Sequence, residues 1–362
     1  MAAAAAFAQT LNSQWPSDGL EHVRKCPVCG DPRRHQELDD IEDTAFRAAP
    51  GKWCLQRCDR CRSAYLDPRP DRRSIALAYR NYYTHAAVPA QPSTLSQRLR
   101  RAIANGYRNH LFATQLRPTF PLAPLIAPLF TVTAARIRLE ARGLERLRVK
   151  NGRVLDVGCG DGALVELAGQ MGWHCFGVEF DDIAATAARR RGIEVLAAEV
   201  SDIDPRYDSF FDAITLSHVI EHMHDPLATL RHCRRVIKPG GYLWLQTPNI
   251  DSAGYEIYGR FWRGLESPRH LALFTPRSLR EILKEAGFAR ITMLAPEDVI
   301  GPVFAMSALM EAGYPVGVDA QQPLDAANRR KLEIAISRGR AIAQKNPERA
   351  EFIGIVAFRP DA

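Results

Sequence analysis

The chain of 362 residues is long enough for one large domain and a smaller one. A hydrophobic fraction of 46% and a charged fraction of 25% sit near globular averages, which excludes disordered and fibrous classes. Lys and Arg outnumber Asp and Glu by 48 to 41, which permits an anionic partner without naming one, because the excess is scattered arginine.

The N-terminal MAAAAAFAQTLNS lacks a basic start and a sustained apolar core. Residues 1–20 therefore read as a disordered tail and not as a signal peptide, and the expected compartment is the cytoplasm. In a reducing compartment, paired cysteines point to a metal site before a disulfide set. CPVCG and CDRC place Cys26, Cys29, Cys58 and Cys61 in two C-x2-C knuckles, each presenting two thiolates to one tetrahedral ion. Residues 21–70 read as a four-cysteine zinc ribbon. Cys54 alternates with Trp53 and Leu55 like a strand residue, buried and unligated.

A connector, 71–148, opens with an amphipathic helix in SIALAYRNYYT and contains the apolar TFPLAPLIAPLFTV, 119–132. That run is shorter than a membrane span and is broken by Pro121, Pro124 and Pro128. It is expected to pack on the main domain or line the substrate side; the alternative is shallow membrane contact beside Arg100, Arg101, Arg136 and Arg138.

From residue 153 strand and helix alternate, which implies a parallel sheet covered on both faces. Strands are expected at 153–158, 174–179, 194–198, 211–216 and 242–247, with helices in PLATLRHCRRVIK, stopped by KPGG, and TPRSLREILKEAGF. ARITML and EFIGIVAF are two more strands. Between them, 297–349 reads as a helical insertion that folds over the site or makes an oligomer contact, leaving the oligomeric state open.

RVLDVGCGDGALVEL joins a buried strand (Val154, Leu155, Val157) to a helix through Gly158, Gly160 and Gly162. Glycines let backbone approach a nucleoside-containing ligand, and a helix start offers N–H groups. Glu179, ending the next strand in WHCFGVEF, is placed to accept two ribose hydroxyls. The glycines alone do not separate this from a nicotinamide site.

Four motifs in order decide the cofactor: LDVGCGDG, VEF, FDAITLSHVIEHMHDP and VIKPGGYLWLQTPN. Together, over about residues 149–288, the chain resembles the class I S-adenosylmethionine-dependent methyltransferases. The resemblance implies an α/β, Rossmann-like seven-stranded sheet over 149–362, beside the small ribbon, with its last two strands antiparallel. CPxCG…CxxC, then PRP, then WRGLESPRHLALFTPRSL is similar to bacterial small-molecule methyltransferases, including those of polysaccharide and secondary-metabolite pathways. Carried over, Gly158, Cys159, Gly160 and Gly162 form the cofactor loop, and Asp156 orients it or meets the methionine amine. Glu179, with Phe180 beside it, binds the ribose. Glu199 or Asp202 meets adenine, and Ser217 and His218 lie beside the methionine.

Methyl transfer is an in-line displacement, so holding the nucleophile supplies most of the catalysis, and a base is needed only where the acceptor must lose a proton. His218, Glu221 and His222, at i, i+3 and i+4, would share one face of a helix following the fourth strand. His270, after the fifth strand, should reach the same end of the sheet. His222 or His270 is the expected base, with Glu221 beside them. The spacing also resembles the E-x-x-E-H…H arrangement of metal-dependent RNA 3′-end methyltransferases and the related element of quinone-pathway O-methyltransferases, with His218 where the first glutamate stands. A second divalent metal on these four residues is thus an alternative, and three nitrogen ligands would shift preference from magnesium towards zinc, manganese or iron. No N/D-P-P-Y/F or Pro-Cys follows the fourth strand, which counts against methylation of a nucleobase. The expected activity is O-methylation of a small molecule: a sugar, polysaccharide precursor, quinone or secondary metabolite. Alternatives are an RNA methyltransferase whose ribbon and arginines grip phosphates, and a non-catalytic ribbon that binds a protein partner.

Overall fold

The computed structural model describes residues 15–79, 94–129, 134, 137, 140–144, 151–316 and 324–361. The start of the N-terminal tail, the second half of SIALAYRNYYT, the end of the 119–132 run, and Arg136 and Arg138 lie outside the described residues.

In chain order the strands are β1 (Leu20–Glu21), β2 (Arg34–Ile41), β3 (Trp53–Cys58), β4 (Ala64–Leu66), β5 (Arg69–Pro70), β6 (Arg153–Val157), β7 (His174–Val178), β8 (Glu194–Ala197), β9 (Phe211–Ser217), β10 (Ile237–Pro248), β11 (Ala272–Leu273), β12 (Ala289–Met293) and β13 (Phe352–Phe358). Seven form one sheet in the order β12-β13-β10-β9-β6-β7-β8, and β11-β4-β3-β2 form a second. This is the expected α/β sheet. The contacts separate the chain into two compact units, Met1–Tyr83 with Ser217–Arg231 and Leu245–Ala357, and Thr84–Leu216 with His232–Trp244 and Phe358–Ala362. No helix among the described residues is long and apolar enough to cross a membrane.

In the second unit β6 pairs in parallel with β7 and β9, and β7 with β8. Val154, Leu155, Ile214 and Leu216 are buried, as expected for central parallel strands covered on both faces. The Asp181 side chain caps the helix Asp182–Arg190 by accepting from Ile183 N (2.8 Å) and Ala184 N (3.1 Å). KPGG does not precede the strand as expected but belongs to it, since β10 starts at Ile237. The cause is pairing with the chain's end: Gly240 N donates to Arg359 O (2.9 Å) and Arg359 N to Gly241 O (3.1 Å).

In the first unit the ribbon sheet takes its fourth strand from far along the chain. Ala272 pairs with Tyr65 and Leu273 with Ala64, and Leu66 N donates to Leu271 O (3.2 Å). Trp53, Leu55, Leu66, Ile250, Trp262, Leu273 and Phe304 share one core. The insertion contributes the helices Ile300–Glu311 and Ala326–Lys345, where Gly339 leaves room for the Phe304 ring. The helix expected in SIALAYRNYYT appears, within the described residues, as a single 3-10 turn, Ile75–Tyr79.

A fully buried ion pair also crosses this unit. Arg269 Nη2 donates to Asp43 Oδ1 (2.6 Å) and Nη1 to Oδ2 (3.0 Å), while Nη1 also reaches Ala78 O (2.9 Å). Asp43 further accepts from the N–H groups of Phe46, Ala48 and Ala49. Removing one member of such a pair strands the other charge. Asp43→Ala should destabilise the protein by about 3–5 kcal/mol in urea unfolding. Asp39→Ala, which breaks an exposed contact with Arg260, should change stability by less than about 1 kcal/mol.

Candidate functional site

The glycine turn lies wholly in the second unit. Gly158, Gly160 and Gly162 all have left-handed φ (71°, 56° and 84°), where a side chain costs free energy. The N–H groups of Gly158 and Cys159 both donate to Val178 O (2.8 and 3.0 Å), and Gly160 N donates to Glu179 Oε2 (2.8 Å). These amides lace the turn onto β7 rather than waiting for a ligand. A Cβ on Gly162 would come within 2.2 Å of Ile193 Cδ1, whereas one on Gly160 would meet nothing within 4 Å. Gly160 therefore faces the open space.

Glu179 is buried and accepts from Gly160 N and, through Oε1, from Asp181 N (2.9 Å). Burial pushes its pKa up, against the pull of those backbone donors. A carboxylate has about four lone pairs, and the backbone donors, Phe180 N–H among them, leave only part of that capacity for a ligand. Asp156 is also buried; burial raises its pKa, while Arg142 Nη1 (2.8 Å) and Thr215 Oγ1 (2.5 Å) both donate to Oδ1. The Arg142 guanidinium in turn lies over the Trp244 ring, 5.3 Å from its centroid. Arg142 lies in no sequence motif, and Thr215, although inside FDAITLSHVIEHMHDP, has no role assigned there; register explains it, since Thr215 is the β9 residue opposite Asp156. The Cys159 thiol is pushed up to about 12 by burial and stays protonated. Phe180 is exposed, and the Ser201 hydroxyl reaches both Glu199 (3.4 Å) and Asp202 (3.1 Å), treating the two carboxylates alike.

The second cluster lies in the first unit. No α-helix begins directly after β9; the next one starts only at Pro226. His218 turns the chain at φ 55°, and only Ile220–His222 coil, in a 3-10 turn, so the expected helical face does not exist. Glu221, His222 and His270 nevertheless converge, offering ligand atoms within 4.8 Å of one another. The His222 and His270 rings stand 4.7 Å apart, tilted by 72°.

Hydrogen bonds fix both imidazole tautomers. His270 Nδ1 lies 2.8 Å from Gly264 O, and His222 Nδ1 lies 2.9 Å from both Arg269 O and the Tyr79 hydroxyl. A carbonyl only accepts, so each Nδ1 carries a proton, and in the neutral ring Nε2 is the nitrogen that keeps a lone pair. Burial drives the His270 pKa down to about 4, leaving the ring neutral. Burial would raise Glu221, but the His218 contact and the charge that the three neighbouring histidines take up in acid hold it down at about 2, so a buried carboxylate is ionised. Thr247 Oγ1 donates to its Oε2 (2.9 Å). Its Oε1 has, among the described residues, no partner closer than His218 Nδ1 at 3.4 Å, a long contact. His218 itself packs its ring edge-on to Phe352. Its expected neighbour Ser217 ends β9. The supporting Thr247 and Arg269 lie inside VIKPGGYLWLQTPN and WRGLESPRHLALFTPRSL without a role assigned there, and Tyr79 carries no local signal.

The four ribbon thiols also converge. Cys26 and Cys61 are 3.6 Å apart, as are Cys29 and Cys58. A Zn–S tetrahedron has edges of about 3.8 Å, so the set fits such an ion. Burial pushes the Cys29 thiol up to about 12, and the proton shared with Cys26 draws Cys61 down to about 5. Cys54 takes a hydrogen bond from Gln56 Nε2 (3.2 Å) and lies outside the cluster.

A family model described as a methyltransferase domain matches residues 132–292. Among curated proteins, the chain is similar to the ubiquinone biosynthesis O-methyltransferase of Xanthomonas oryzae pv. oryzae, with 31% identity over 171 residues, 44% of this chain and 69% of that protein. The protein of the same name from Xanthomonas campestris pv. campestris is 32% identical over 189 residues, 49% and 75% of the two chains. Among solved structures, an S-adenosylmethionine-dependent methyltransferase of Archaeoglobus fulgidus aligns with 64% of this chain and 99% of its own, at 20% identity and a TM-score of 0.40.

The two turn glycines should respond differently to a methyl group. Gly160→Ala adds only the left-handed penalty of about 1–2 kcal/mol. Gly162→Ala adds to that an overpacking cost of about 1–3 kcal/mol against Ile193. Urea unfolding of the two variants should rank them in that order.

Proposed function

The chain belongs to the class I S-adenosylmethionine-dependent methyltransferases, and from that premise we propose that it methylates an oxygen of a small molecule at a divalent-metal centre formed by Glu221, His222 and His270. One observation carries the metal reading. Both imidazoles anchor Nδ1–H on backbone carbonyls, which is the outer-shell arrangement of metal-bound histidines, and a carboxylate oxygen of Glu221 is buried beside them with nothing closer among the described residues than the long His218 contact. Two imidazoles and one carboxylate favour zinc, manganese or iron over magnesium. His218 stands beside the set and orients Glu221.

S-adenosylmethionine, when bound, supplies a methyl group on a sulfonium sulfur. The chain's part is to hold it: the remaining lone pairs of Glu179 accept ribose hydroxyls, exposed Phe180 offers a flat apolar face for adenine, and Glu199 or Asp202 accepts from its amine. Asp156, whose two bonds both fall on Oδ1, keeps the loop in place and leaves Oδ2 for the methionine portion.

A divalent cation, when bound, supplies Lewis acidity that eases removal of an acceptor's hydroxyl proton. This favours ligand roles for the histidines over base roles, because a ring with pKa near 4 such as His270 is a weak general base at neutral pH. The quinone-pathway names of the relatives point to a phenolic hydroxyl as acceptor. We assign structural zinc to Cys26, Cys29, Cys58 and Cys61. The ribbon's task is then support: β4 holds β11 just beyond His270, and Asp43 holds Arg269, whose carbonyl anchors His222.

Transfer of labelled methyl to a panel of catechols and other phenols, with metal stripped and restored, tests this reading. Turnover should vanish with a chelator and return with Mn2+ or Zn2+. Glu221→Gln should lower kcat on the order of 100-fold, with S-adenosylhomocysteine affinity unchanged by calorimetry. Glu179→Ala should instead weaken that affinity about 10- to 100-fold, the loss of charge-assisted hydrogen bonds. Chelator-resistant turnover by Glu221→Gln would remove the metal from the account.

A further inference from the structure

Between Arg72 and Leu139 the sequence contains ten arginines and no Asp, Glu or Lys. The formal net charge of the whole chain is +7, so this stretch more than accounts for it and the remainder is net acidic. Within the second unit, 94–129 folds as one hairpin. The helix Leu95–Phe112 starts with a Thr94–Gln97 capping box. The returning chain lies along it, with Phe120 N donating to Ala102 O (3.0 Å), Asn105 Nδ2 to Pro118 O (3.0 Å) and Asn109 Nδ2 to Leu116 O (3.1 Å). Gly106 permits this approach, since a Cβ there would stand 2.5 Å from Phe120 O.

The inner side of the hairpin is complete: Tyr107, Phe112, Ala123 and Ala127 form its core, with Phe120 packed against them. Five leucines are left outside it. Leu95 is 88% exposed, Leu99 52%, Leu122 56%, Leu125 74% and Leu129 78%. Leu95 and Leu99 are one helical turn apart, and Leu122, Leu125 and Leu129 recur at i, i+3 and i+7 on the return. Single exposed leucines are ordinary, but five in one hairpin with no acidic residue are not. Arg100, Arg101 and Arg117 are interspersed among them.

We propose that this hairpin is a membrane-surface anchor, its leucines entering the headgroup boundary of an anionic bilayer while its arginines meet the lipid phosphates. Apolar insertion and basic attraction are each weak alone and together give stable, reversible attachment. An RNA surface would use the same arginines, but single strands are held by stacking on aromatic rings. The aromatic residues of this hairpin are packed in its core and offer no such platform. The charge excess also runs the wrong way for a partner that is itself basic. The anchor is independent of the proposed reaction, because binding to vesicles requires neither donor nor acceptor.

The test is co-sedimentation of the full chain with vesicles of equal parts phosphatidylglycerol and phosphatidylcholine, against phosphatidylcholine alone. The protein should pellet with the anionic vesicles, and high salt should reduce but not abolish this. Leu125→Ser combined with Leu129→Ser, both exposed and outside the hairpin core, should weaken binding at least fivefold at an unchanged thermal midpoint. Arg100→Gln combined with Arg101→Gln should weaken it and flatten the salt dependence. Absence of pelleting with anionic vesicles overturns the proposal. So does leucine-independent binding that a single-stranded RNA competes away, which would make the hairpin a nucleic-acid surface.

Discussion

The Arg269–Asp43 ion pair is the constraint on which the first unit depends. Both side chains are essentially without solvent contact, and a buried charge is tolerable only when every donor and acceptor around it is met. Arg269 spends its guanidinium on Asp43, Ala78 O and Glu266, and the same residue's carbonyl receives the His222 ring. His270 follows it directly, with its own ring tied to Gly264 O. Glu266, held far below the usual carboxylate range by Arg263, His270 and Arg269 despite its burial, completes a charge network that fixes this loop. Two imidazoles thus face Glu221 because a buried arginine has nowhere else to be satisfied.

The glycine turn is governed by a different economy of backbone groups. Its amides are spent on Val178 O and on Glu179, so the loop keeps its shape without a ligand. What remains open is the space beside Gly160 and part of the Glu179 carboxylate. A rigid loop with a small number of unspent acceptors favours a ligand rich in hydroxyl donors, because little ordering entropy is lost on binding.

The seven-stranded α/β sheet was legible in the sequence because apolar runs and glycine turns repeat at short range. The cysteine knuckles were legible for the same reason, their spacing being local. What the sequence did not reveal depends on partners distant in the chain. β11 has only two residues, Ala272 and Leu273, and nothing in them announces pairing with Tyr65 and Ala64. Asp43 looks like any surface aspartate until Arg269 is placed against it. Helical spacing suggested a shared face for His218, Glu221 and His222, but His218 adopts a left-handed backbone and the turn is 3-10. Glu221, His222 and His270 still meet, through tertiary packing rather than helical period, and His218 is left to one side. The start of β10 was missed because Arg359, at the other end of the chain, is what draws Gly240 and Gly241 into the strand.

The central claim is that a methyltransferase places a divalent cation on Glu221, His222 and His270. Anomalous X-ray scattering at the manganese edge, from crystals grown with Mn2+ and S-adenosylhomocysteine, tests it most directly. The account predicts a single manganese peak within bonding distance of the Glu221 carboxylate and of both imidazoles, with the nucleoside at the Gly158–Gly160 turn. A bound nucleoside with no peak among those three side chains would contradict it.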